Sequence, residues 1–173
     1  MIFAGDKTRF AIEAEPESVT GHWVHGRFCL WIGGTRVGDW DDSCALNYCY
    51  HHLVQFAEGA GSATAIEPSV ARLAPREIFR MIVEPALEGG IADPREQPVP
   101  YAYSRFHITA IGMSALDNYV VVLVKDAERS ERCLWAKHCD SAMGDCWLSP
   151  NEAEQVAHAF CVQFRDSYEV AEW

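Results

Sequence analysis

The sequence predicts an α+β fold: a mainly antiparallel sheet of about six strands, packed by about three helices. Apolar residues alternate with a period of two near the N-terminus and again in the second half of the chain, as half-buried strands require. Helical spacing is confined to separate stretches, so strands come in runs instead of alternating one by one with helices. That order argues against a parallel, doubly wound sheet.

Arg9 to Glu15 places Phe10, Ile12 and Ala14 on one face. Pro16 to Gly21 is turn-like, and Trp23 to Ile32 forms a second strand. Trp23, His25, Arg27, Cys29 and Trp31 line one side of it; Val24, Gly26, Phe28, Leu30 and Ile32 line the other. Gly33-Gly34 suits a tight hairpin leading to a short strand over Thr35 to Val37. Asp39, Asp41, Asp42 and Ser43 then offer N-caps for a helix over Cys44 to Ala57, where Leu46, Cys49, Tyr50, Leu53 and Phe56 or Ala57 keep helical spacing. Glu58 to Pro68 reads as a loop. A second helix is expected from Pro75 to Leu87, weakened in its last turn by Pro85.

Gly89 to Tyr103, with Gly-Gly and three prolines, reads as a long irregular connection. Beyond it, runs starting at Phe106, Tyr119 and Arg132 suggest a three-stranded meander, with Tyr119 to Val124 apolar enough for its central strand. Asp117-Asn118 and Ala127 to Glu131 make the turns. Ser149-Pro150-Asn151-Glu152 has the form of a capping box, with Ser149 as the cap. The last helix is expected to run to about Tyr168, with Val156, Phe160, Phe164 and Tyr168 facing the sheet.

The 173 residues are 49% hydrophobic and 12% aromatic, enough to bury one core, and a single domain over 1–173 is expected. The net charge of −11 disfavours nucleic acid and anionic membrane as partners and favours a basic protein. Residues 1–42 and 43–103 each carry seven acidic and four basic groups, and 104–173 carry eleven and six. Any acidic face must therefore be assembled by folding. Asp6, Lys7 and Arg9 interrupt the N-terminus before an apolar signal region forms, so the expected compartment is the cytoplasm.

Little in the chain points to chemistry. The seven cysteines, at 29, 44, 49, 133, 139, 146 and 161, are odd in number and irregularly spaced, which argues against a disulfide framework. Cys44, Cys49, His51 and His52, or His138, Cys139 and Cys146, lack the repeated pairs of a zinc site. No flanking signature marks a nucleophile. No cofactor or metal is expected. One of His51 and His52 should be exposed, because adjacent helical residues cannot both face inward. Asp39, Asp41 and Asp42 read as a helix N-terminus, or as a charged rim around the aromatic Trp40.

Gly5-Asp6-Lys7-Thr8-Arg9-Phe10-Ala11-Ile12-Glu13, Gly26-Arg27-Phe28-Cys29-Leu30-Trp31-Ile32-Gly33-Gly34 and Gly38-Asp39 occur in this order and spacing. Together they resemble the immunity protein 42 family of bacterial polymorphic toxin systems. The resemblance implies an α+β protein encoded beside a secreted toxin, with no catalytic residue. It implies a cognate toxin domain as partner, neutralised by occlusion. The acid excess fits a basic toxin, such as a nucleic-acid-directed enzyme. Gly5, Phe10, Trp31, Gly38 and Asp39 carry the motif and read as fold residues. Trp40, Asp41 and Asp42, with Glu15 and Glu17, are the candidate partner-binding residues. If exposed, the Trp23-to-Trp31 face would serve a homodimer as well as a toxin. The competing readings are a regulatory binding module without catalysis and a Cys/His enzyme.

Overall fold

A computed structural model describes residues 1–59, 65–87, 106–108, 113–126, 130–138 and 142–168. The predicted connection over 89–103 lies outside them. Among them, strands β1 (Ile2–Gly5), β2 (Phe10–Thr20), β3 (Trp23–Ile32), β4 (Thr35–Val37) and β5 (Ser43–Ala45) form one antiparallel sheet. A second antiparallel sheet contains β6 (Tyr119–Lys125), β7 (Glu131–Lys137) and β8 (Met143–Leu148) in that order. The helices are α1 (Leu46–Gly59), α2 (Pro68–Ala71), α3 (Pro75–Ile82), α4 (Glu84–Leu87) and α5 (Glu152–Ser167). The α+β class is as expected, but the strands divide between two sheets.

β3 has the predicted bounds and organises the first sheet. It pairs with β2 along its length, with β4 at Leu30 to Ile32, and with β5 at His25 to Arg27. Its even-numbered side chains Val24, Phe28, Leu30 and Ile32 enter the core with Phe10, Ile12 and Ala14 of β2. α1 and α5 cover that side: Phe28 meets Phe160 edge-on at 6.0 Å, and Tyr50 stacks on Phe164 at 5.3 Å. Val121, Leu123 and Cys133 of the second sheet close the same core. The other face of that sheet, through Val120, Val122, Val124 and Leu134, packs on Ile78, Phe79 and Ile82 of α3.

Several expectations are corrected. β2 does not stop at Glu15: it continues through Pro16 with a bulge between Pro16 and Ser18, since a bulge tolerates the missing proline N–H. β1 went unpredicted because only four residues pair there. α1 begins two residues late because Ser43–Ala45 pair with β3 first. The buried Asn47 then ties the helix to the sheet, accepting from the Val24 N–H at 2.7 Å and donating to the His22 carbonyl at 3.0 Å. α3 ends before Val83, with Glu84–Leu87 as a separate turn, as a proline at 85 dictates. Pro68–Ala71 is helical where a loop was expected to end. His51 and His52 are both half-buried, and the His52 ring stacks on His107 at 6.3 Å.

β6 is not the central strand of its sheet. It is apolar because both its faces are buried, and β7 lies in the middle. The free edge of β6 is covered by backbone bonds to 106–108 and Ile66. β8 replaces the predicted strand over 106–110, of which His107 contributes only a bridge to Val122 and Ala110 lies outside the described residues.

The start of α5 is held by charge from elsewhere in the fold. Ser149 does not cap it. Asn151 adopts a left-handed φ of 59°, and the Glu131 carboxylate of β7 accepts from the Asn151 N–H at 2.5 Å and the Ala153 N–H at 3.4 Å. Glu131, predicted as part of a turn, is fully buried. Lys125 donates to Glu131 at 3.0 Å and also to Glu154. Burial pushes the Glu131 carboxyl up, against the pull of Lys125. On the surface, Glu152 takes a two-pronged bond from Arg9 at 2.8 and 2.6 Å, which holds its carboxyl at about 2.

Two stability predictions follow from these anchors. Lys125→Met leaves two buried carboxylates uncompensated and should cost about 3–5 kcal/mol in urea unfolding at neutral pH. Because Glu152 titrates below its ordinary 4.5 when folded, its contribution is full above that value and is lost as pH falls through about 2. Arg9→Ala should therefore cost about 1 kcal/mol at pH 7, discounted for exposure, with the difference from wild type vanishing near the folded value.

Candidate partner-binding surface

The odd-numbered face of β3 carries polar and aromatic groups: at its start Trp23 meets Tyr48 of α1 at 5.5 Å, and from Arg27 to Trp31 it lies opposite the face that α1 and α5 cover. The cross-strand rows run Gly5, Ala11, Trp31 and Arg36, then Phe3, Glu13 and Cys29, then Glu15, Arg27 and Ser43. In the middle, the Trp31 indole N–H donates to Glu13 at 2.7 Å, and Lys7 pairs with the same carboxylate at 2.7 Å. The Lys7 ammonium lies 4.5 Å from the centre of the Trp31 ring and 5.3 Å from that of Phe3. Burial pushes the Glu13 carboxyl up, but Lys7 and the indole outweigh it and hold it below the usual range. Trp31 is half-buried, Phe3 is 37% exposed, and Cys29 is fully buried.

Along the β3 edge of this sheet, between the stretches that pair with β4 and β5, lies the turn joining those two strands. Asp39 shapes it. Its backbone N–H donates to the Ala115 carbonyl at 2.7 Å, its carboxylate accepts from the Asp41 N–H at 3.2 Å, and its carbonyl accepts from the Asp42 N–H at 3.3 Å. These aspartates therefore do not cap α1; β5 intervenes. Asp41 and Asp42 are exposed, and Trp40 is half-buried with the Arg36 guanidinium 5.9 Å from its ring centre.

Glu15 and Glu17 lie on β2, on the other side of β3 from that turn. Glu15, Arg27 and Ser43 share a row, so the residue after Asp42 lies two strand spacings, about 10 Å, from Glu15. Both glutamates are paired with Arg27, at 3.7 and 2.9 Å, which reduces the charge they present. The fold adds Asp117, exposed and two residues past the carbonyl that anchors Asp39. Nothing local in the sequence marks Asp117, since its proximity depends on the 3-10 turn Ser114–Leu116 docking on β3 and β5. The Lys7–Glu13–Trp31 cluster was legible only as alternation.

The motif residues serve the fold. Phe10 is 1% exposed in the core. Gly5 has φ +95°, and a Cβ there would lie 2.3 Å from the Phe10 carbonyl oxygen. Gly38 has φ +126°, and a Cβ would press on Leu116 at 3.1 Å and on Cys29 at 3.3 Å. It lets the chain cross close to β3 before the Asp39 turn.

Among the described residues, no three His, Cys, Asp or Glu could hold a metal ion. Burial pushes the Cys29 and Cys161 thiols up to about 12, so neither supplies a thiolate at neutral pH. A groove of about 210 Å³ between α1 and α5, lined by Tyr50, Val54, His158 and Arg165 among others, lies on the helices covering the opposite face of the sheet. No helix among the described residues is long and apolar enough to cross a membrane.

Gly38→Ala should cost about 2–3 kcal/mol in chemical denaturation, from left-handed strain plus the contact with Leu116. Trp31→Phe keeps the ring but removes the bond to Glu13, and should cost about 1 kcal/mol.

No curated protein matches this sequence, and no solved structure does either. The profile of the family described as Immunity protein 42 matches residues 1–162, nearly the whole chain. With its motif residues placed as structural supports of the first sheet, the chain belongs to the immunity protein 42 family.

Proposed function

We propose that this protein binds and neutralises a cognate toxin domain in the bacterial cytoplasm, by occlusion and without catalysis of its own. Family membership supports the immunity role. The observation that carries the choice of surface is the placing of the Trp40-Asp41-Asp42 turn and Asp117 along the β3 edge, with Glu15 and Glu17 across β3, around the sheet face opposite the one that α1 and α5 cover. An acidic rim beside a half-buried indole suits a basic partner: charge speeds encounter, and the aromatic slows release. The net charge of −11 acts in the same direction over longer range. A toxin whose own substrate is nucleic acid presents such a basic groove.

Co-expression with the toxin domain encoded next to it should restore growth, and the two proteins should co-elute on size exclusion. Failure of both, with a folded protein, would overturn the immunity reading. The surface is tested separately. Asp41→Lys with Asp42→Lys should slow association at least tenfold at low salt, with a smaller difference at high salt, while Trp40→Ala should chiefly raise the dissociation rate. A complex indifferent to all three substitutions would place the interface elsewhere.

A further inference from the structure

Cys44 and Cys49 form a thiol pair that the immunity function does not use. Cys44 lies in β5, Cys49 in the first turn of α1, and their sulfurs are 3.8 Å apart. Both are buried, at 3% and 0% exposure. The distance is a non-bonded S–H···S contact, well beyond the roughly 2.05 Å of a disulfide. We propose that Cys44 and Cys49 are a reversible dithiol–disulfide site, oxidised by hydroperoxides, that clamps β5 to the first turn of α1.

The two thiols are chemically unequal. A hydrogen bond from the Cys49 S–H stabilises a thiolate at Cys44, which lowers the Cys44 thiol against the effect of its burial. The same bond, with complete burial, pushes Cys49 well up. Cys44, on a three-residue strand and slightly more exposed than Cys49, is the thiol a peroxide reaches first, so it serves as nucleophile and Cys49 as resolving thiol. Cys29, Cys133, Cys146 and Cys161 are all raised by burial, which leaves Cys44 as the lowered thiol among the described cysteines. Access comes from the strand itself. β5 has three residues and pairs only with β3 among the described strands, so local opening exposes Cys44 without global unfolding.

The Cys44 thiolate attacks one peroxide oxygen, breaking the O–O bond and releasing hydroxide, to give the sulfenic acid. The Cys49 sulfur then attacks the Cys44 sulfur; the S–S bond forms, the S–O bond breaks, and the Cys49 proton leaves with the oxygen as water. Two thiols lose two electrons and the peroxide gains them. Because β5 follows directly on Asp41 and Asp42, the clamp would tie the acidic turn to α1.

The test uses the wild-type protein. Cleavage after Arg36 and Arg72 gives peptide 37–72, in which Cys44 and Cys49 are the only thiols. Reduced native protein is treated with stoichiometric hydrogen peroxide, then denatured, alkylated with iodoacetamide and digested with trypsin. The expected result is a 37–72 peptide lighter by two hydrogens, carrying no alkyl group, and regaining both alkylation sites after dithiothreitol. Cys49→Ser should leave the Cys44 sulfenic acid unresolved and open to dimedone labelling. The proposal is overturned if peptide 37–72 takes two alkyl groups at a peroxide dose that already oxidises the half-buried Cys146. It is equally overturned if Cys44 passes to sulfinic acid in the wild type without the internal bond.

Discussion

The alternation of side chains along β3 is the constraint on which the rest of this structure depends. One side of the strand is apolar at every second position from Phe28 to Ile32 and must be buried under α1 and α5. The other side is then committed to facing away from those helices, whatever it carries. Three strands take their register from β3, so the placing of Glu15, Arg27 and Ser43 in one row follows from that burial. A slip of one residue would turn Trp31 and Arg27 into the core. The polar face is thus a by-product of the apolar one, and the acidic turn is anchored to it.

The second sheet is joined to this frame by charge as well as by apolar packing. Lys125, Glu131 and Glu154 are all nearly inaccessible, and Glu131 also supplies the acceptor for the first N–H groups of α5. A helix N-terminus carries unpaired donors and a partial positive charge, so a carboxylate from a neighbouring strand fits there and Lys125 compensates the excess. The Arg9–Glu152 pair repeats the arrangement at the surface, tying the same helix end to the β1–β2 turn. α5 therefore connects both sheets, which explains how β8 comes to lie against the Gly33 turn of the first sheet.

Much of the proposed contact surface is already engaged with itself. Arg27 pairs with both Glu15 and Glu17, leaving one net negative charge between them, Lys7 pairs with Glu13, and Arg36 lies over Trp40. Asp41, Asp42 and Asp117, which make no such pair among the described residues, are on turns and not on strands. Strands supply a rigid platform while turns supply exposed charge, a division common in binding surfaces. It also separates the family motif from the proposed contacts. Gly5, Phe10 and Gly38 hold the platform, and the charged turn is carried on it.

The sequence by itself determined the α+β class, the bounds of β3 and β4, the apolar faces of α1 and α5, and a disturbance near Pro85, although the helix expected to reach Leu87 ends at Ile82. Each depends on neighbours within a turn or two of chain, where periodicity and proline stereochemistry act directly. Tertiary structure decided whatever depended on distant partners. Ser43–Ala45 became a strand because β3 offered a free edge, although the local pattern favoured a helix cap. β6 reads as central from its apolar run, yet it lies at the end of its sheet, because burial on both faces does not reveal which strand is its neighbour. Ser149 lost the capping role to Glu131, eighteen residues earlier in the chain. Asp117 came near the Asp39 turn through packing that no short window of sequence contains, and the close approach of the sequence neighbours Cys44 and Cys49 depended on β5 pairing with β3.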